Sequence, residues 1–269
     1  MDFNFLNNRM SKKLQIAIKT SLLAGEKILD IYYSDQFEAE MKKDGSPLTR
    51  ADKASHNTVV RELSKLGIPI LSEEGAKIDY STRKKWSKFW LIDPLDGTKE
   101  FIKKNGEFTV NIALVENQIP ILGVVYTPVT KELYFAEKDF GSFKIKSIEK
   151  FDELSLKQAI TLSESSSPKN YTIVVSRSHL NKETTDYITE KKQMFNEILL
   201  KQFGSSLKIC KVAEGKAHCY PRLGPTMEWD TAAAHAVVKY SGKRLFNFNT
   251  NDELIYNKES LLNPFFVTE

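Results

Sequence analysis

The sequence predicts a mixed α+β protein, and three features of the chain support that fold class. Apolar residues recur at helical spacing from Leu14 to Tyr32, apolar and polar residues alternate from Thr109 to Val115, and helix and strand patterns alternate again after residue 170. The chain has 269 residues, and 41% of them are hydrophobic. This length and composition predict one large domain or two closely packed domains with a substantial core.

The first half of the chain predicts helices followed by strands. An amphipathic helix runs through apolar positions at Leu14, Ile18, Leu22, Ile28 and Tyr32, and a turn at 44–47 precedes a second helix over 52–66. Short apolar runs at 68–71 and 89–92 each lead into acidic residues. Alternation then predicts an antiparallel meander of three strands at 109–115, 120–126 and 132–136.

A segment rich in serine and lysine, 146–169, has weak periodicity and predicts a boundary between two halves, 1–150 and 151–269. Beyond this segment the patterns predict strands near 171–175 and 197–201. They also predict helices near 181–192, 205–214 and 230–241.

Composition excludes several classes of protein. Lysine and arginine outnumber aspartate and glutamate by 39 to 35, without a long basic block, so polymeric nucleic acid is not an expected partner, whereas small anionic substrates are compatible with the charge. The two cysteines, Cys210 and Cys219, are too few for a disulfide framework and lack zinc-site spacing. We expect both to be buried free thiols.

No apolar run is long enough for a membrane span, and residues 1–30 lack a secretory pattern. We therefore expect a cytoplasmic protein, a monomer or a homodimer. Peripheral attachment to the cytoplasmic face of the inner membrane stays open as an alternative.

The segment 90–98 places two carboxylates around a sharp bend after a strand. Pro94 removes a backbone donor and Gly97 permits unusual backbone angles, so Asp93 and Asp96 are able to face one point together with the Leu95 carbonyl. Oxygen donors of this kind suit magnesium. A turn stabilised by an aspartate side chain is an equally good interpretation of this segment alone.

Thr98 follows the bend and is able to begin a helix, whose free N–H groups attract phosphate; a plain helix cap is the simpler interpretation. Two further acidic pairs favour the metal site. Glu73 and Glu74 follow another short strand, where a solvated turn is the usual role, and Glu228 and Asp230 stand at a helix start, where aspartate often caps. Acids that converge repel one another unless cations lie among them.

These motifs, a DPxDGT segment at 93–98 and a later WD segment at 229–230, resemble the inositol monophosphatase superfamily of magnesium-dependent, lithium-sensitive phosphatases. Narrower matches resemble the bacterial bisphosphate nucleotidases of that superfamily, and they lie at 43–52, 98–102, 176–179, 204–208, 220–226 and 259–264. The resemblance implies a layered αβαβα sandwich. It also implies hydrolysis of adenosine 3',5'-bisphosphate, or of its sulfated form, to release the 3'-phosphate.

The resemblance also implies a role for each site residue. One magnesium ion would be held by Glu73, Asp93 and the Leu95 carbonyl, and a second by Asp93, Asp96 and Asp230, with two to three ions in all. Asp52, Glu73 and Thr98 would orient the attacking water. The substrate-binding set would be Gly97, Thr98, Lys99, Ser176, Arg177, Ser205, Ser206, Lys208, Arg222 and Asp230.

The first half would thus carry most metal ligands, and the second half would carry the remaining ligand and most of the substrate contacts. His179 and His218 are expected to be structural. The alternatives are a phosphatase of the same superfamily that acts on inositol monophosphate or fructose 1,6-bisphosphate, and a nucleotide sensor without turnover.

Overall fold

The computed structural model describes residues 9–34, 39–41, 47–162, 168–177 and 181–269. The helices of these ranges are α1 Lys12–Tyr32, α2 Arg50–Leu63, α3 Tyr80–Arg83, α4 Thr98–Ile102, α5 Glu153–Lys157, α6 Lys182–Met194, α7 Leu207–Ala213 and α8 Glu228–Lys239, with a 3-10 turn at Ser64–Leu66. The strands are β1 Ala39–Met41, β2 Pro47–Thr49, β3 Ile70–Ser72, β4 Lys88–Asp96, β5 Thr109–Glu116, β6 Ile119–Thr127, β7 Glu132–Glu137, β8 Gly141–Ile145, β9 Ile160–Thr161, β10 Tyr171–Ser176, β11 Ile198–Phe203, β12 Tyr220–Arg222, β13 Leu245–Asn247 and β14 Phe266–Thr268.

A seven-stranded sheet organises the molecule. Its strands follow chain order from β3 to β9, and every neighbouring pair is antiparallel except β3 and β4, which are parallel. Within the described ranges, three smaller sheets accompany it: β1 pairs with β2 in antiparallel order, β10 pairs with β11 in parallel, and β12, β14 and β13 are arranged in antiparallel order. An isolated bridge joins Ile173 of β10 to Cys219, the residue before β12.

Both faces of the large sheet are buried, because its strands carry apolar side chains on both sides. Trp90, Ile92 and Ile112 belong to the core shared with α1 and α2, whereas Leu91 and Ala113 belong to the core shared with α7 and α8. Residues of the two sheets formed by β10 to β14 pack on the other side of α7 and α8, and a third cluster joins those sheets to α6. The order of layers is therefore α, β, α, β, α, which confirms the predicted architecture.

Most predicted elements are confirmed, with ends that differ by a few residues. The opening helices, the antiparallel meander and the strands and helices of the second half all form. The short strands β1, β2, β8, β9, β12, β13 and β14 were not predicted, because two to five residues are too few to show a period. The predicted turn at 44–47 falls almost wholly outside the described residues, as does His179.

The division into halves stays a prediction. Strand β9, at Ile160–Thr161, pairs with β8 and so extends the large sheet beyond residue 150. Cys210 and Cys219 are free and buried, as expected. Among the described helices, none is long and apolar enough to cross a membrane. The cellular location and the oligomeric state stay predictions.

Gly123 brings helix α8 into close contact with strand β6. A Cβ atom at this position would lie 2.1 Å from the Ala233 carbonyl oxygen and 2.8 Å from the Ala236 side chain. The missing side chain thus lets the helix backbone rest directly on the sheet. Because Asp230 stands in the first turn of the same helix, this contact also fixes how close Asp230 lies to the strand ends.

We expect Gly123→Ala to lower the free energy of unfolding by about 1–3 kcal/mol, because the helix must move away from the sheet to admit the methyl group. Urea denaturation measures the effect. Gly224→Ala is the matched control, since a Cβ there would meet its nearest atoms only at 3.8 and 4.0 Å. Equal stabilities of the two variants would contradict the close contact.

Candidate active site

The ends of β3 and β4 bring acidic residues together. Because these strands are parallel, Glu73 follows the end of β3 beside β4, and its N–H donates to the Ile92 carbonyl at 3.1 Å. The pairing of β4 with β5 shifts between Asp93 and Asp96, so the strand bends where the two carboxylates occur. Asp230 joins them from the first turn of α8.

The four acids are close enough to perturb one another. Burial raises the pKa of Asp93 well above its usual range, and the charges of Glu73, Asp96 and Asp230 raise that pKa further. Burial also raises the pKa of Asp230, with Asp96 as the largest charged contributor. The predicted metal ligands are therefore gathered at one place, and the group would repel itself when ionised.

Protein donors hold one oxygen of each aspartate. Leu95 N–H donates to Asp93 Oδ1 at 3.0 Å, Met227 N–H donates to Asp230 Oδ2 at 2.8 Å, and Ser206 N–H donates to Asp96 Oδ2 at 2.6 Å. These bonds come from the neighbouring backbone of three separate segments. They orient the three carboxylates.

Ser206 links two of the acids across the halves of the chain. Its hydroxyl oxygen lies 2.7 Å from both Asp96 Oδ2 and the Asp230 carbonyl oxygen, and it accepts a hydrogen bond from Asn111 Nδ2 at 2.8 Å. Asn111 is buried in the middle of β5. Asn111 was not among the predicted site residues, although a polar residue on a strand that is apolar on both faces is a signal for such a role.

Asp52 and Thr98 form a second polar pair beside the acids. Thr98 Oγ1 donates to Asp52 Oδ1 at 3.2 Å and lies 3.5 Å from the Leu95 carbonyl oxygen. Thr49 contacts the other oxygen of Asp52 through its N–H, at 2.7 Å, and its hydroxyl, at 2.5 Å. This is a capping box at the start of α2, so Asp52 caps a helix and still accepts from Thr98.

A cleft of about 290 Å³ opens in front of these groups. Most predicted site residues line it, namely Glu73, Asp96, Gly97, Thr98, Lys99, Ser176, Ser205, Ser206, Lys208, Arg222 and Asp230. Asp93 is buried rather than part of the lining, and Asp52 reaches the cleft only through Thr98. Arg177 does not line the cleft, because its guanidinium instead pairs with Glu107 at 2.8 Å.

Three polar groups of the second half face the cleft with unusual properties. Within the described part of the chain, the Ser205 hydroxyl and Arg222 Nε are buried atoms without a hydrogen-bond partner. Lys208 is buried, and this burial together with the charge of Arg222 lowers its pKa to about 8. Buried donors without partners are costly, so the Ser205 hydroxyl and Arg222 Nε are suited to an anionic ligand, and the charge of Lys208 adds to that fit.

Several lining residues were not predicted, and their positions in the sequence carry partial signals. Tyr220 and Thr226 lie within the matched segment 220–226, Gly204 opens the matched segment 204–208, and Thr231 follows Asp230 directly. Glu100, Ile209 and Phe266 also line the cleft. Phe266 had no signal, because only the tertiary fold brings β14 next to β12.

The donor set fits hard divalent cations. It consists of carboxylate oxygens and the Leu95 carbonyl, and a cation among Glu73, Asp93, Asp96 and Asp230 would relieve the repulsion that raises the pKa of Asp93. Within the described ranges, no group of three or more His, Cys, Asp or Glu side chains is arranged so that it could hold a metal ion without adjustment of the side chains.

A family model described as the inositol monophosphatase family matches residues 9–264. The chain belongs to this family, whose enzymes are generally metal-dependent phosphatases. It is 42% identical over 246 residues to a Salmonella typhimurium protein named 3'(2'),5'-bisphosphate nucleotidase CysQ, covering 90% of this chain and 94% of that one. The Buchnera aphidicola protein of the same name is 39% identical over 261 residues, covering 96% and 92% of the two chains.

The fold is also similar to a solved structure. The crystal structure of CysQ from Bacteroides thetaiotaomicron superposes with a TM-score of 0.88 at 45% sequence identity, and 98% of each chain is covered. This likeness agrees with the layered architecture described above.

We expect Asp93→Asn to stabilise the metal-free protein by about 1 kcal/mol or more at pH 7.5, because a carboxyl whose folded pKa is raised costs stability once it ionises. Asparagine keeps an oxygen that accepts from Leu95 N–H. Urea denaturation in EDTA measures the difference. Asp139→Asn, at an exposed position, should change stability by less than about 0.5 kcal/mol. Destabilisation by Asp93→Asn would contradict mutual repulsion of the acids.

Proposed function

We propose that this chain is a magnesium-dependent 3'(2'),5'-bisphosphate nucleotidase, which releases the 3'-phosphate of adenosine 3',5'-bisphosphate or of its sulfated form. The observation that carries the proposal is the composition of one cleft. It is lined by acids suited to divalent cations, Glu73, Asp96 and Asp230, and by cations suited to a second phosphate, Lys208 and Arg222. A monophosphate has no group that needs the second set.

The choice of substrate within the family rests on the relatives. Proteins named as this nucleotidase are 35–42% identical to the chain and align over 87–94% of their own lengths. The inositol monophosphatases among the similar solved structures are 18–23% identical, which supports the shared fold alone. The nucleotidase activity is therefore the better supported of the two.

In the proposed reaction, water attacks the 3'-phosphorus, the bond to the ribose 3'-oxygen breaks, and AMP and phosphate leave. When bound, magnesium would supply activation of the water and neutralisation of the leaving oxygen; Glu73, Asp93, the Leu95 carbonyl, Asp96 and Asp230 would hold the two to three ions. No side-chain nucleophile is required.

Asp52 and Thr98 would set the direction of the water. Because the Thr98 hydroxyl donates a hydrogen bond to Asp52, its oxygen is left to accept a hydrogen bond from the attacking water. The two Thr49 donors keep Asp52 in place. Glu73 would orient the same water and accept the one proton that it loses on attack, and the backbone of Gly97, Thr98 and Lys99 at the start of α4 would contact the scissile phosphate.

The retained phosphate would bind the second half of the chain. Lys208, Arg222 and the Ser205 hydroxyl have charge or donor capacity directed at the cleft, and Ser176 and Ser206 line the same surface. Arg177 would act from the rim. Arginine suits this task because its guanidinium donates two parallel hydrogen bonds to phosphate.

Phosphate release from adenosine 3',5'-bisphosphate tests the function directly. We expect turnover with magnesium, loss of turnover in EDTA, and inhibition by lithium. Inositol 1-phosphate and fructose 1,6-bisphosphate are the comparison substrates, and the nucleotide should have a kcat/KM at least about tenfold higher than either. Preference for a sugar phosphate would overturn the proposed substrate, and nucleotide binding without turnover would indicate a sensor.

The lowered pKa of Lys208 predicts that substrate binding depends on pH. Its pKa of about 8 in the free protein means that the charge is present below pH 8 and lost above it. Raising the pH from 7 to 9 should therefore increase KM for the bisphosphate by about tenfold. Adenosine 3'-monophosphate lacks the second phosphate, so its KM should lack this rise.

Two variants test whether the titration of Lys208 causes the rise in KM. Lys208→Arg keeps a positive charge at pH 9 and should remove the rise in KM. Arg222→Ala should raise KM at every pH and should move the rise to higher pH, because the Arg222 charge helps to lower the pKa of Lys208. A rise that persists in Lys208→Arg would assign the titration to another group.

A further inference from the structure

Glu107 places a negative charge at the rim of a cleft built for anions. It lies in the loop between α4 and β5, and its carboxylate contacts two separate segments of the second half. Oε2 accepts from the Gly204 N–H at 2.8 Å, while Oε1 accepts from Arg177 Nη2 at 2.8 Å and Oε2 from Arg177 Nε at 3.3 Å. One side chain thus joins β10, the turn after β11, and the first half.

The backbone around Glu107 leaves little freedom. A Cβ atom on Gly204 would lie 2.6 Å from the Glu107 carbonyl oxygen, and a Cβ atom on Gly97 would lie 3.3 Å from the same oxygen. The Glu107 N–H donates to Asn105 Oδ1 at 2.9 Å. Gly97 and Gly204 both line the cleft, so the loop is packed against two of its walls.

The hydrogen bond between Glu107 and the Gly204 N–H matters because Gly204 begins a turn, Gly204–Ser206. Ser205 has a φ of 44°, in the left-handed region that non-glycine residues rarely adopt, and such a conformation persists only where surrounding contacts enforce it. The Ser205 carbonyl accepts from Lys208 Nζ at 2.6 Å, and Ser206 N–H donates to Asp96. The turn therefore connects the buried lysine to the acidic group.

Repulsion of substrate is the obvious objection to a carboxylate here. The Arg177 guanidinium contacts both oxygens of Glu107 and offsets its charge, and the Glu107 side chain is mostly buried, with 23% exposed, while that of Arg177 is 45% exposed. The arginine thus keeps part of its surface available to solvent or ligand. The Glu107 carboxylate thus accepts its hydrogen bonds from two protein partners, the Gly204 N–H and the Arg177 guanidinium.

We propose that Glu107 is a positioning residue that determines selectivity for bisphosphorylated substrates, because it holds the Gly204–Ser206 turn and presents Arg177 at the rim. The inference rests on the proposed nucleotidase function. It assigns Glu107 no contact with substrate: the residue acts through the turn and through the arginine.

Three variants distinguish the effect of Glu107 on the turn from its effect on Arg177. Glu107→Ala removes both contacts, Glu107→Gln keeps an oxygen that accepts from Gly204 N–H, and Arg177→Ala removes the ion pair together with the guanidinium itself. We expect KM for adenosine 3',5'-bisphosphate to rise about tenfold in Glu107→Ala and only about two- to threefold in the other two. In the two Glu107 variants, kcat should stay within about twofold, as should KM for adenosine 3'-monophosphate.

Equilibrium binding gives a readout that needs neither metal nor turnover. AMP carries only the retained phosphate, and calorimetry in EDTA should show its affinity weakened about tenfold by Glu107→Ala. Glu149→Ala, which removes an exposed ion pair with Lys131, is the matched control and should leave AMP affinity unchanged. The AMP measurement with Glu107→Gln and Arg177→Ala stays informative if the alanine variant fails to fold.

Each outcome decides one of the two claims. Equal increases in KM for both nucleotides, unchanged AMP affinity, or tighter AMP binding in Glu107→Ala would overturn the role of Glu107. Failure of the unmodified protein to hydrolyse adenosine 3',5'-bisphosphate would overturn the proposed function instead, while AMP binding would still test Glu107.

Discussion

The structure has to accommodate one unfavourable interaction: the carboxylates of Glu73, Asp93, Asp96 and Asp230 repel one another. Acids that come from two strand ends and a helix start are forced together, and burial raises the pKa of Asp93 in particular. Isolated buried charges of one sign are unfavourable, so the surrounding fold must offset their cost. Because the fold tolerates repulsion among these four carboxylates, the site that they form would favour divalent cations.

The layered core provides the compensating stability. The large sheet buries apolar side chains on both faces, and α8 rests directly on β6 at Gly123. The acids occur where this apolar framework ends, and backbone donors from Leu95, Met227 and Ser206 orient them. Rigid packing therefore sets the positions of the charges, rather than any attraction among the charges themselves.

The cleft joins two kinds of electrostatic environment. The first half contributes most of the acids, and the second half contributes Lys208, Arg222 and the Ser205 hydroxyl. Ser206 of the second half hydrogen-bonds to Asp96 of the first half, and Glu107 of the first half hydrogen-bonds to Gly204 and Arg177 of the second half. A bisphosphorylated ligand would meet both environments at once, and the relative placement of the halves would decide which ligands fit.

Local chemistry was sufficient to predict much of this protein from sequence. The helical periods, the meander and the bend at Pro94 and Gly97 depend on neighbouring residues, and most of the predicted site residues do line the cleft. Contacts between distant segments were not predictable, because a local pattern does not show which distant residue a side chain will meet: Asn111 with Ser206, Phe266 at the cleft, and Arg177 with Glu107. Sequence alone determined which groups are available for chemistry, whereas the tertiary packing of separate strands decided which of them meet and which are already engaged by the protein.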